Sequence, residues 1–192
     1  MKLRHLATAA VALTLAGCVG SNLKIDYFAL TSPPAHTVAA QSGILSVHVG
    51  PTSIPDGVDK PQLVVRGEGT AVTIDDNRRW AEPLKDAIPR VIADSLSAEL
   101  GTPRVMTSRQ SASLDFDYRV AIDVQHFDSS ATGASDDVIW TIRTRGNQAP
   151  RVGRTVVQEP ASGIAGVAEA HSRALARVSH DIAEAIRAMP KS

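Results

Sequence analysis

The chain has 192 residues, 43% of them hydrophobic, and twenty basic side chains balance twenty acidic ones. This supplies enough apolar material for one domain with a buried core. Neutrality without a basic cluster interleaved with aromatics argues against nonspecific nucleic-acid binding and strong attraction to anionic lipid, and a single cysteine excludes an intrachain disulfide.

The N-terminus has three parts. Lys2, Arg4 and His5 form a basic head, residues 6–16 are apolar or small apart from two Thr, and Leu15-Ala16-Gly17-Cys18 closes the run. This is a signal-peptide layout, too short in its apolar part for a transmembrane helix. Leu-Ala-Gly-Cys resembles the lipobox of a bacterial lipoprotein precursor. Residues 1–17 are therefore expected to be a removed signal peptide, Cys18 the lipidated first residue, 18–24 a tether and 25–192 a single domain. The mature part keeps eighteen basic against twenty acidic residues. Two or more acyl chains anchor stably where one does not. Val19 and Gly20 follow the cysteine, and the lack of an adjacent Asp points to the outer membrane.

In chain order, residues 25–30 read as a first strand, ended by Ser-Pro-Pro. Residues 44–49 form a second, which Pro51 should end. Residues 63–66 and 71–75 form a hairpin around Gly67-Glu68-Gly69, with Arg66 and Glu68 on its outward face. Asp75-Asp76 before Asn77 reads as a strand-ending turn.

Glu82-Pro83 opens a first helix, whose apolar stripe is Leu84, Ala87, Ile88, Val91, Ile92, Leu96 and Leu100. Pro89 inside it should bend the helix or mark its true start one turn late. Gly101-Thr102-Pro103 stops it.

Residues 104–107 form a short strand, and 117–127 alternate as a half-solvated antiparallel strand with Tyr118, Val120, Ile122, Val124 and His126 on one face. A loop at 129–135 leads to strands at 138–145 and 152–158. A second helix, about 164–189, carries Val167, Ala170, Ala174, Val178, Ile182, Ala185 and Ile186 in its stripe, with Leu175 beside them. The expected fold is α/β: a mixed, largely antiparallel twisted sheet of seven to eight strands with two long amphipathic helices packed against it.

No catalytic signature emerges. Gly67-x-Gly69 lacks a third glycine and a following helix, so a tight turn explains it. The histidines lack metal-ligand spacing, and His171 and His180 lie on opposite sides of a helix. No Gly-x-Ser-x-Gly elbow exists. No metal, cofactor or enzymatic activity is expected.

Three segments go beyond generic propensity: Ile25-Asp26-Tyr27-Phe28-Ala29-Leu30; the run from Val47 to Pro55 with Asp59-Lys60-Pro61-Gln62-Leu63-Val64-Val65-Arg66; and Arg79-Trp80-Ala81-Glu82-Pro83-Leu84. Behind a lipobox, they resemble the PqiC/YmbA-type family of ABC-type transport auxiliary lipoproteins. Lys60, where members often have Arg, and Asp26, where some have a second aromatic, depart from the pattern.

The resemblance implies a non-catalytic, periplasm-facing lipoprotein of the outer membrane. It would be an accessory or docking component of an intermembrane lipid-transport system. The implied partners are an MCE-domain protein and inner-membrane transporter or permease components, with a homo-oligomer matching the symmetry of an MCE tube. The alternative is a carrier that binds lipid in its own apolar pocket, which would need a large cavity. The candidate partner-binding or structural residues are Trp80, Glu82, Pro83 and Arg66. Trp80 could pack over the helix start, with Glu82 accepting backbone N–H groups there and Pro83 preorganising the turn, or it could anchor an interface.

Overall fold

The computed structural model describes residues 24–32, 45–107, 115–146 and 149–189; the Cys18 expectation lies outside them. The described residues form eight strands: β1 (Asp26–Phe28), β2 (Val47–Ser53), β3 (Gln62–Arg66), β4 (Val72–Trp80), β5 (Val105–Thr107), β6 (Tyr118–Ser129), β7 (Gly133–Thr144) and β8 (Arg151–Pro160). Two α-helices accompany them, α1 (Leu84–Leu100) and α2 (Val167–Arg187), the second entered through a 3-10 turn at Ile164–Gly166.

The strands make one mixed sheet, as the alternation predicts. Its long ladders, β6·β7, β7·β8 and β3·β4, are antiparallel. The joins β1·β4, β2·β5, β2·β6 and β3·β6 are parallel. β6 is the shared strand. β7 lies along one side of it. On the other side, β2 pairs with its first half and β3 meets only its end, at Val65 and Ser129. The sheet therefore divides beyond β6 into a β2–β5 branch and a β3–β4–β1 branch.

Both helices pack together and against the sheet, α1 over β2 and β5 and α2 over β7 and β8. The predicted stripe of α2 is buried throughout, and that of α1 is buried except for partly buried Leu100. They meet Val47, Val49, Val120, Ile122, Val138 and Ile142. Side chains on β6 that alternate away from this core, including Arg119, Asp123 and Gln125, reach solvent. The second expected strand also carries buried polar groups on its far side. His48 is covered there by Phe116, their rings 5.3 Å apart, and burial, with the Arg119 charge, lowers its pKa.

Five local expectations need correction. β2 does not stop at Pro51 but runs to Ser53, because Pro51 sits where the β2·β6 register shifts, a place where a ladder tolerates proline. Asp75 and Asp76 do not end a strand. β4 continues to Trp80 through a bulge, with Leu63 paired to Asp75 and Gln62 to Arg79, and Asp75 accepting a hydrogen bond from the Asn77 amide.

The loop foreseen at 129–135 shrinks to residues 130–132. Ser130 bridges the turn, its hydroxyl accepting from the Gly133 amide, and β6 and β7 zip up on either side. His126 does not share the face of Val124. A bulge after Val124 shifts the alternation, so His126 is exposed while Phe127 and Ser129 turn inward. Finally, α1 begins at Leu84, before Pro89 and not one turn later. Gly101 closes that helix in the left-handed conformation, at φ 64°, as its position predicts.

Candidate functional site

The three sequence motifs converge at the junction of β4 and α1. The Trp80 amide donates to the Pro61 carbonyl at 2.7 Å and the Ala81 amide to the Phe28 carbonyl at 2.7 Å. Asp59 forms an ion pair with Lys85 in the first turn of α1. Arg90, on the same helix, donates to the Leu30 carbonyl at 3.0 Å and pairs with Glu82. Segments far apart in sequence are thus laced together by backbone and charged side chains at one corner.

Within this corner the candidates divide. Trp80 is 6% exposed and faces the core. Pro83 occupies the N-cap position of α1. Glu82 does not take up backbone N–H groups as expected. Its carboxylate turns to the Arg90 guanidinium, a stronger, charge-assisted partner. Arg66 stands apart, exposed at the end of β3, with its guanidinium 2.7 Å from Asp128 on β6.

Trp80 leads into a polar chain that sequence reasoning missed. Its ring meets His171 edge-on, with centroids 6.1 Å apart, and Phe127 lies stacked on His171 at 3.7 Å and 12°. His171 Nδ1 is 2.7 Å from Asp136 Oδ1, and His171 Nε2 is 3.0 Å from the Ser129 hydroxyl. Burial pushes the Asp136 carboxyl upward, opposed by the charge and hydrogen bond of His171, while the Asp128 charge adds to the upward push.

The order Ser–His–Asp matches that of a nucleophile, base and orienting acid. All three residues are nevertheless buried, and Phe127 covers one face of the imidazole. Here the arrangement ties α2 to the paired strands β6 and β7, satisfying Ser129, His171 and one oxygen of Asp136 inside a core, while Asp136 Oδ2 is left without a partner. A parallel tie lies further along: the Trp140 indole donates to the Thr155 hydroxyl at 3.1 Å, which donates to Asp181 at 2.8 Å.

Part of this was legible. His171 stands four residues after Val167 on the apolar stripe of α2, and Asp136 shares the inward phase of Val138 and Trp140 on β7. Ser129 was hidden, because it points inward only through the bulge before His126.

Two open clefts stand out among the described residues. One, of about 510 Å³, lies at the β6–β7 turn and includes Arg66, Asp128, Ser130, Gln158 and Glu159. The other, of about 290 Å³, lies over β2, β6 and β7, among Pro51, Ser53, Asp123, Ile139 and Thr141. Both are lined by polar as well as apolar side chains. Among the described residues, no three His, Cys, Asp or Glu side chains gather as a metal site would require, and no helix is long and apolar enough to cross a membrane.

The fold recurs in solved structures. A crystal structure of an uncharacterized protein has a TM-score of 0.67 and 19% identity, covering 85% of this chain and 99% of its own. Protein XCC0632 from Xanthomonas campestris has a TM-score of 0.65 and 21% identity, covering 82% and 92%. No curated protein matches the chain. The family model for the ABC-type transport auxiliary lipoprotein component matches residues 28–183. That span takes in the end of the first motif segment from Phe28, the other two segments whole and the His171 chain, so the protein belongs to the ABC-type transport auxiliary lipoprotein family, whose members are non-catalytic, membrane-associated lipoproteins serving transport.

Proposed function

We propose that this lipoprotein is the docking component of an MCE-type system that moves lipid between the two membranes. It would be anchored to the outer membrane through acylated Cys18 and face the periplasm. Its partners would be an MCE-domain protein and the transporter or permease components of the inner membrane. A homo-oligomer would match the symmetry of that assembly.

The observation carrying the docking reading is the nature of the clefts. A carrier needs an enclosed, largely apolar cavity to take acyl chains out of water. The two clefts here are open and partly polar, and the apolar faces of both helices are spent on the sheet and on each other. Work on a partner is then done at the surface. Of the four candidate residues, Trp80, Glu82 and Pro83 belong to the laced corner and are read as structural. Arg66, exposed beside the larger cleft, is the residue assigned to partner contact.

The test is purification of the full-length lipoprotein from its native cells, with the copurifying proteins read for an MCE-domain protein. Arg66→Glu should lose the partner while melting normally. Absence of any MCE or permease partner, in the gene neighbourhood and in copurification, would overturn the reading. Labelling cells with a clickable fatty acid, with Cys18→Ser as control, tests the anchor.

A further inference from the structure

We propose that the free end of the β3–β4 hairpin, together with Tyr27 of β1, rests on the lipid surface that holds the Cys18 anchor. This assignment depends on the acylation of Cys18 set out above. Three observations converge on it.

The first is register. β1 runs parallel to β4, with Asp26 opposite Arg78 and Phe28 opposite Trp80. The residues of β4 before Arg78 therefore extend past the start of β1, on the side from which the chain arrives. The hairpin tip points the same way, and residues 66–74 are exposed throughout.

The second is exposure. Leu63 and Trp80 face the core. The cross-strand pairs Gln62–Arg79, Val64–Ile74 and Arg66–Val72 point away from it, as does Tyr27 beside Arg79. Tyr27, Val72 and Ile74 are 65%, 57% and 47% exposed, and Ile25 joins them at 36%. A tyrosine and branched apolar side chains beside Arg79 suit a membrane–water boundary, where the aromatic ring sits at headgroup level and a long basic side chain reaches out to it; Arg66 is turned instead to Asp128 on β6, at the partner cleft.

Of the acids nearby, Asp26 pairs with Lys24, Asp75 with Arg78, and Asp76 accepts from Gln62, while Glu68 stands exposed at the hairpin tip, where it reaches water beside the headgroups. The contact is thus apolar and interfacial, not an attraction to anionic lipid.

The third is reach. Lys24 lies six residue steps after Cys18, a span of at most about 20 Å. A domain of this size is roughly 40 Å across. So short a leash keeps the side where the chain enters near the bilayer and cannot wrap around the body to present the opposite edge. That opposite edge is β8, whose exposed Val152 and Val156 serve as the comparison.

Cys18 is the only native cysteine and, once acylated, is unreactive to thiol reagents. Full-length lipidated protein carrying Val72→Cys, Ile74→Cys or Val156→Cys can therefore be labelled at one place with a polarity-sensitive fluorophore. It is then placed in phosphatidylcholine vesicles with or without brominated acyl chains. The expected result is blue-shifted emission, and its loss with brominated lipid, at 72 and 74, with neither at 156.

Unchanged emission at 72 and 74 while mass spectrometry shows an acylated Cys18 overturns the hairpin contact alone and leaves that strip for a protein partner. Equal loss at 156 also overturns it, since the whole open face would then lie on lipid. An unacylated Cys18 removes the anchor reading and this proposal with it.

Discussion

The two ends of β4 lie in opposite environments. At one end Trp80 is buried against Phe127 and His171, and its amide is tied to Pro61. At the other, Val72 and Ile74 stand in solvent. The same strand carries both because a bulge after Asp75 separates the stretch paired with β1, residues 78–80, from one paired only with β3. A strand end held on both sides and roofed by a helix becomes part of the core. A hairpin end with no layer over it keeps its apolar side chains for another surface. Burial, and not residue type, thus separates what holds this fold from what it can offer outside.

The largest break in that comparison should come from Trp80→Ala, expected to cost about 3–5 kcal/mol by urea denaturation, as truncation of a buried aromatic side chain does. Asp136→Ala leaves the His171 ring without its carboxylate partner, a loss of roughly 1–3 kcal/mol. Asp136→Asn, which keeps an acceptor, should recover most of it. A full-sized loss in the Asn variant would show that the charge, and not the hydrogen bond, holds the cluster.

Gly153→Ala should also cost about 1–3 kcal/mol through overpacking. A Cβ there would lie 2.1 Å from the Trp140 ring, on the strand pair that α2 covers.

The pH dependence is smaller and has a defined direction. Partial burial pushes the Asp117 carboxyl up, but the Ser46 hydroxyl and amide with the Arg104 and Arg145 charges outweigh this and leave it lowered. Asp137 is lowered by its hydrogen bond and ion pair with Arg154. Both stabilise the fold above the unfolded carboxylate value of about 3.9, and that stabilisation is lost as pH falls through their lowered folded values. Melting temperature should drop in this acid range, and the drop should shrink in Asp137→Asn. Asp136 acts with the opposite sign. Its raised folded value favours folding at acid pH, and the benefit fades as pH rises from the unfolded value through the folded one.

The smallest effect is expected at the exposed end: Val72→Ser or Ile74→Ser should change stability by no more than about 0.5 kcal/mol. A loss on the scale of Trp80→Ala would erase the distinction between the two ends of β4.

Sequence alone determined the elements that have a strong period or a chemical stop. The stripes of both helices, the glycine stop at Gly101 and the alternation from Tyr118 to Val124 are local patterns, and each side chain's environment follows from its neighbours along the chain. The family motifs were equally legible, and so was the exposed position of Arg66.

Tertiary structure decided the rest. Whether Pro51 ends a strand depends on where a partner ladder is interrupted. Whether His126 or Phe127 turns inward depends on a bulge set by pairing with β7. The Ser129–His171–Asp136 chain joins two strands and a helix separated by as many as 42 residues; the phase of His171 and Asp136 hints at burial, but Ser129 looks like a loop serine until the sheet brings the three together. Periodicity reports which face a residue takes along a regular element. Register across strands, which is nonlocal, decides where that regularity slips and what the slipped side chains meet.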